Sequence, residues 1–276
     1  MMGRPEGGAS LRDYARILDE LTQGVAAGGT LLLLTDYDGT LTPLVAEPEE
    51  AWLPAAVQTD LRLLAQSPRV RVGIISGRDL HDLRTRVGVP EVIYAGCHGL
   101  EVEGPSISFT HPEAEAQRQT LRAIAQSLSL RIASIPGARI EPKALSVAVH
   151  YRNAAPGTAG RLEILLERAI HQRRSRLRIL RGKKVFEVLP RIRWNKGECA
   201  LWIRDRIRAP LPSPVTMLYM GDDRTDELAF EVLAGKAITV KIGFERTRSA
   251  AAYRLPDAAE VQRLLSELAG AVGGKR

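Results

Sequence analysis

Four consecutive leucines, Leu31 to Leu34, run almost directly into Asp36-Tyr37-Asp38-Gly39-Thr40. A short apolar run closed by turn residues reads as a buried strand. Two carboxylates two positions apart at its end repel each other, so a positive charge belongs between them, most simply a metal ion. A hard cation such as Mg²⁺ suits carboxylate oxygens. One carboxylate is then free to attack phosphorus and the other to move a proton.

Three more segments complete that chemistry, in order. Ser76-Gly77-Arg78 follows the apolar run Val72 to Ile75; Lys196 lies in Trp194-Asn195-Lys196-Gly197; Gly221-Asp222-Asp223-Arg224-Thr225-Asp226-Glu227 follows Val215 to Met220. Each alone has an ordinary explanation: acidic residues favour turns, Ser caps helices, and a Lys after Asn starts a solvated helix. Their strand-end placement makes the combination informative, because ligands of open α/β sheets collect beyond the carboxyl ends of the strands.

Strands are expected at Leu31–Thr35, Val70–Ile75, Val92–Ala95, Thr216–Met220 and Ile238–Ile242, with a last one near Leu255. Helical spacing separates them: Val57, Leu61 and Leu64, then Leu80, Leu83 and Val87, and at the end Val261, Leu264, Leu265 and Leu268. Such alternation predicts a parallel sheet with helices on its faces. The stretch Glu101 to Pro190 reads instead as strands and two helices of an α+β insert. There Lys143, Leu145, Val147 and Val149 alternate with smaller or polar residues, as in one half-buried strand. On that reading Glu141 and Lys143 share a face, His150 and Arg152 take the other, and Glu187 sits on a neighbouring strand. A surface ion pair and a hydroxyl-binding surface are equal readings of that pattern. Turn formers at Gly104-Pro105 and Pro190-Arg191 suggest a core of 1–104 and 191–276 interrupted by a cap of 105–190. Met1 to Ser10 reads as a tail before a short helix, Leu11 to Leu21.

The ordered set Asp-x-Asp-Gly-Thr, Ser, Lys and Gly-Asp-Asp-x-Thr-Asp-Glu resembles the haloacid dehalogenase (HAD) superfamily of aspartate-nucleophile phosphatases. Gly96-Cys97-His98-Gly99-Leu100-Glu101, Glu141 to Ser146, His150-Tyr151-Arg152, Gly182 to Glu187 and Trp194 to Gly197 narrow the resemblance to the trehalose-6-phosphate phosphatase family. Leu189 stands where that family often has an Arg before the Pro. The resemblance implies a Rossmann-like HAD core with a large α/β cap inserted after the third strand, and hydrolysis of a phosphorylated disaccharide. It implies Asp36 as nucleophile and Asp38 as the acid that protonates the leaving oxygen and then activates water, with Asp38 the weaker acid of the two. Ser76 and Lys196 would hold the phosphoryl group, with Thr40, Gly77 and Arg78 beside it. Asp36, Asp222 and Asp38, through its carbonyl, would hold Mg²⁺, with Asp223 and Asp226 supporting them from behind. The resemblance tips Glu141, Lys143 and Glu187 towards sugar binding. The same chemistry on another sugar phosphate, phosphoryl return to sugar as in a mutase, and a non-catalytic sugar-phosphate sensor are the alternatives. A damaged motif would mark the sensor, and none of the five core residues is missing.

Composition limits the rest. A net charge of +7 raises the question of nucleic acid, and basic residues do cluster from Arg173 to Lys184. Aromatics are only 5% and none interleaves that run, so a base-stacking platform is not supported. The run reads as a solvated helix end and strand edge, or as a field that steers an anionic substrate. Cys97 and Cys199, with no Cys-x-x-Cys pair, read as core thiols, without zinc or a disulfide framework, and fit a reducing cytoplasm. No apolar stretch reaches membrane-spanning length. A monomer without membrane or nucleic-acid partners is expected.

Overall fold

A computed structural model describes residues 7–45, 47–209, 213–243 and 248–273, and of 7–11 and 273 the backbone only. Of the expected tail Met1 to Ser10, residues 1–6 lie outside them, and residues 7–10 belong to the first helix instead. The helix after it is longer than its apolar spacing suggested: α1 spans Gly7–Ala26 and buries Tyr14, Ile17 and Leu21.

The chain then alternates. Strand β1 (Thr30–Thr35), α2 (Ala55–Gln66), β2 (Val70–Ile75), α3 (Leu80–Val87) and β3 (Ile93–Gly96) come first. Helix α2 buries Val57, Leu61 and Leu64, one stripe of a 3.6-residue period, each contributing about 1.5–3 kcal/mol by removal from water. Asp79 caps α3, and Gly88 ends it in the left-handed conformation at φ +62. Strands β4 (Glu101–Gly104) and β5 (Ile107–Thr110) turn about Pro105-Ser106 and extend the same sheet.

The middle segment holds α4 (Pro112–Glu115), α5 (Arg118–Ala133), β6 (Arg139–Pro142), β7 (Val147–His150), α6 (Thr158–Ile170), β8 (Leu177–Gly182) and β9 (Val185–Pro190). The chain then returns through α7 (Lys196–Arg208), β10 (Val215–Gly221), α8 (Arg224–Leu233), β11 (Ile238–Ile242), β12 (Tyr253–Leu255) and α9 (Ala258–Gly273).

Two compact units result, residues 1–108 with 194–276, and 109–193. The divisions fall a few residues beyond Gly104-Pro105 and Pro190-Arg191, because Pro105 turns the β4–β5 hairpin rather than leaving the sheet. In the first unit the sheet order is β12-β11-β10-β1-β2-β3-β4-β5, parallel from β12 to β3 and antiparallel between β3 and β4. This is the α/β architecture expected, with the sheet continued past its third strand by a hairpin. Strand β1 is buried at all six positions, as its leucines require. On one sheet face, Ile17 and Leu21, Val57 and Leu61, and Val261 and Leu264 join one apolar cluster.

The second unit is a four-stranded antiparallel sheet, order β6-β7-β9-β8. Val147, Val149, Phe186 and Val188 bury one face with Leu121, Leu128, Leu162 and Leu166 from α5 and α6. The single alternating strand expected through Lys143 is in fact a hairpin. Strand β6 stops at Pro142, and the Lys143 amide donates to the Ser146 carbonyl across a tight turn. This reverses the chain and changes which side chains share a face. Among the described residues no helix is long and apolar enough to cross a membrane.

Candidate active site

Adjacent parallel strands β10, β1 and β2 bring their C-terminal ends together. Thr35 pairs with Met220 on one side and Ile74 on the other, so Asp36, Gly221-Asp222 and Ile75-Ser76 follow in step. Helix starts supply the rest. Asn195 caps α7 through the Gly197 and Glu198 amides at 2.7 and 3.2 Å, fixing Lys196 in the first turn. Asp223 caps α8 in a reciprocal box with Asp226.

Lys196 joins these elements. Its side chain is 2% exposed, and Nζ lies 2.9 Å from Asp36 Oδ1 and 2.8 Å from Asp226 Oδ1. Burial alone would favour loss of its proton; Asp226 and Asp36 more than reverse this and hold it well above the usual lysine range. Asp36, expected to be the stronger acid of the pair with Asp38, is itself raised. Burial pushes its carboxyl well up, Lys196 opposes this, and Asp226, Asp223 and Asp222 push it further. Asp222 is raised to about 7, first by burial and then by Asp226 and Asp223. Asp226 is raised to about 6, chiefly by burial, against Lys196. The ammonium groups of Lys196 and Lys241 together do not balance this acidic cluster.

The residues fit a hard cation. Carboxylate oxygens of Asp36, Asp222 and Asp226 lie within 4.8 Å of one another. Asp226 is committed on both oxygens: Oδ1 accepts from Lys196 and, at 2.7 Å, from the Tyr219 hydroxyl, and Oδ2 from the amides of Asp222 and Asp223 at 3.0 Å. Asp222 Oδ1, by contrast, is buried and accepts no hydrogen bond. Gly39, at φ +79, lets this carboxylate approach; a Cβ there would lie 2.3 Å from Asp222 Oδ2. Lys241 Nζ donates to the Asp222 carbonyl and holds its backbone.

Asp38 is placed differently from a free acid. Its two oxygens accept from Arg78 Nη2 at 2.6 Å and Nε at 2.8 Å. Arg78 also donates to Asp82 at 2.8 Å and to the Pro48 carbonyl at 2.7 Å. The guanidinium assigned to substrate by sequence is therefore committed within the protein, where it orients Asp38. The Asp38 carboxylate, paired with Arg78, is not among the oxygens that converge with those of Asp36 and Asp222. Ser76 is buried, and Oγ accepts from the Arg78 amide at 3.2 Å. It is not the cap of α3, which begins four residues later behind Asp79. Gly77 lies against the His98 ring, where a Cβ would come within 2.8 Å of Cε1. Thr40 Oγ1 is buried and has no hydrogen-bond partner, a polar atom free for a ligand oxygen.

The second unit carries its own polar cluster. Glu141 pairs with Ala148 and Ala148 with Glu187, so both carboxylates share one sheet face with a small residue between them. Lys143 Nζ lies 3.2 Å from Glu187 Oε1, each side chain only 8% exposed. Ser146 Oγ donates to the same oxygen at 2.6 Å. This is a buried pair and not the surface pair considered above. His150, expected on the opposite face, meets Glu141 at 2.7 Å because the hairpin reverses the parity. Burial opposes ionisation of Glu141, but the His150 bond and Lys143 hold it below the usual range. Sequence reasoning passed over Ser146, Tyr219 and Lys241 as site residues. A Lys inside the mostly apolar run Ile238–Ile242 was the one available signal.

The crowded carboxylates carry a pH prediction. Asp222 is raised above its ordinary 3.8, so its contribution to stability is full below that value and is lost as pH rises through about 7. In EDTA at about pH 8, Asp222→Asn is expected to melt a few degrees above wild type, roughly 1–2 kcal/mol, with the gap closing towards pH 4. A variant that melts below wild type at about pH 8 contradicts the electrostatic account.

Comparison with known proteins places this geometry. The sequence model of the trehalose-phosphatase family matches residues 34–259. A trehalose-phosphate phosphatase of Mycobacterium tuberculosis is 36% identical over 239 residues, covering 85% of this chain and 60% of the relative. The chain thus spans about 60% of the length of such relatives. The C-terminal domain of Candida albicans trehalose-6-phosphate phosphatase has a TM-score of 0.73 at 25% identity, covering 92% and 97% of the two chains. A trehalose-6-phosphate phosphatase related protein reaches 0.77 at 23% identity over 89% of this chain and 100% of that one, a likeness of fold.

Proposed function

The chain belongs to the trehalose-phosphatase family, with a HAD-type α/β core, and from that premise we propose that it is a Mg²⁺-dependent phosphatase releasing trehalose and inorganic phosphate from trehalose 6-phosphate. The observation that carries this reading is the buried contact of Lys196 with Asp36 beside an Asp222 oxygen that has no donor.

In this reading Asp36 attacks phosphorus and the bond from phosphorus to the sugar oxygen breaks. Asp38, entering the step protonated with its contact to Arg78 loosened, gives that oxygen its proton. Asp38 then takes a proton from water, which attacks the phosphorus of the aspartyl-phosphate, releases phosphate and regenerates Asp36. Lys196 opposes the effect of burial on Asp36 without overcoming it, and offsets charge on the phosphoryl oxygens. Ser76, Thr40 and backbone N–H groups near Gly39 and Gly77 bind those oxygens. Asp36, Asp222 and the Asp38 carbonyl would hold a Mg²⁺ ion, which would supply the positive charge this cluster lacks. Asp226, with Tyr219 and Asp223, fixes the loop.

The second unit acts as the cap that selects the sugar, through Glu141, Lys143 and Glu187, with Ser146 orienting Glu187. Binding energy from a remote sugar raises turnover only when it positions the reacting group. Lys143→Ala and Glu187→Ala are expected to lower kcat/KM for trehalose 6-phosphate by roughly ten- to a hundredfold, the worth of one charge-assisted hydrogen bond. p-Nitrophenyl phosphate, which has no sugar, should change little. Removing one member of a buried pair also threatens folding, so Glu187→Gln, with its melting temperature, accompanies them. Equal losses on both substrates in folded variants would remove the specificity role.

A further inference from the structure

The basic run left without a role in the reaction builds a cavity. Beside the edge strand β8 of the second unit, Arg174, Arg178, Arg181 and Arg191 line a space of about 480 Å³ together with Glu167, Ile170 and Ile179. Two of these arginines are compensated. Arg174 pairs with Glu167 at 2.7 Å, and Arg181 pairs with Glu163.

The other two are not. Arg178 is half-buried, and its Nε is buried without an acceptor. Arg191 spends its Nε on the Arg174 carbonyl at 2.8 Å. Among the described residues neither Arg178 nor Arg191 forms an ion pair with a carboxylate. Burial works against the Arg178 charge, and Arg191 adds repulsion that Glu187 only partly offsets. Leaving a buried guanidinium donor unpaired is costly, and an anion held there would pair it. Planar forks suit phosphoryl oxygens in bidentate contact. The volume falls in the range of small-molecule sites.

We propose that this arginine-lined cavity on β8 is a second anion site, which takes a phosphorylated metabolite carrying at least two negative charges. None of its residues belongs to the Asp36 cluster or to the set Glu141, Lys143 and Glu187, although Arg178 shares the sheet face of Glu187.

The test is calorimetric titration of the full chain with inorganic pyrophosphate in EDTA. Without a cation the Asp36 cluster is rich in carboxylates and repels the probe. Wild type is expected to bind one pyrophosphate. Arg178→Gln and Arg191→Gln should each weaken binding at least tenfold, while Arg191→Lys keeps part of it. Lys196→Ala should bind as wild type does. Arg191 is exposed, so its variants decide the matter if Arg178→Gln does not fold. No binding by wild type, or unchanged affinity in folded Arg191→Gln, overturns the proposal. So does loss of binding in Lys196→Ala alone, which would assign the anion to the reaction site.

Discussion

Asp36→Asn is expected to lower kcat for phosphate release by at least about 10⁴-fold, with the melting temperature in EDTA equal to or above that of wild type. The amide has the size of the carboxylate but cannot form the aspartyl-phosphate. The stability half of the expectation comes from the site itself. Asp36 is buried, and its carboxyl is pushed up by that burial and by Asp226, Asp223 and Asp222. Removing its charge relieves that repulsion but also removes a partner of Lys196 at 2.9 Å, so the two effects offset each other. The measurement is steady-state phosphate release beside a thermal melt. Residual turnover within tenfold of wild type would remove Asp36 as nucleophile. Loss of both activity and fold would show that its role is structural.

Chelation is expected to have an effect of comparable size. EDTA should bring turnover to background, and Mg²⁺ should restore it, whereas a monovalent salt should not. The ground is the imbalance at the strand ends. Asp36, Asp222 and Asp226 place oxygens within 4.8 Å, and the nearby ammonium of Lys196 leaves Asp222 raised to about 7. A bound cation would return these carboxyls to the ionised state that attack on phosphorus needs. Full turnover after exhaustive chelation contradicts this.

What the sequence disclosed depended on the range of each interaction. The strand ends at Asp36, Ser76 and Asp222 were legible because unbroken apolar runs mark strands buried on both faces, and the chemistry sits where each run stops. The hairpin through Lys143 was not legible. Pro142-Lys143-Ala144-Leu145-Ser146 contains no Gly, Asn or Asp turn signal, and its alternation imitates a continuous strand. That one reversal put His150 on the wrong face and hid Ser146. Arg78 stood beside the phosphate motif, but its partner Asp38 lies 40 residues away, and no local pattern reports such a pair. Tyr219 occupies the interior of an apolar strand, where an aromatic is ordinary core, and only the fold brings its hydroxyl to Asp226.

The reading of substrate rests on the second unit's polar face, and one measurement addresses it most directly. Phosphate release by the wild-type chain with Mg²⁺ should be followed across a panel of sugar phosphates that includes trehalose 6-phosphate, glucose 6-phosphate, fructose 6-phosphate and sucrose 6-phosphate. The account predicts the highest kcat/KM for trehalose 6-phosphate, by roughly a hundredfold or more, as the loss of two or more sugar hydrogen bonds implies. An equal or higher value for another member, or no phosphate release from trehalose 6-phosphate at all, contradicts it.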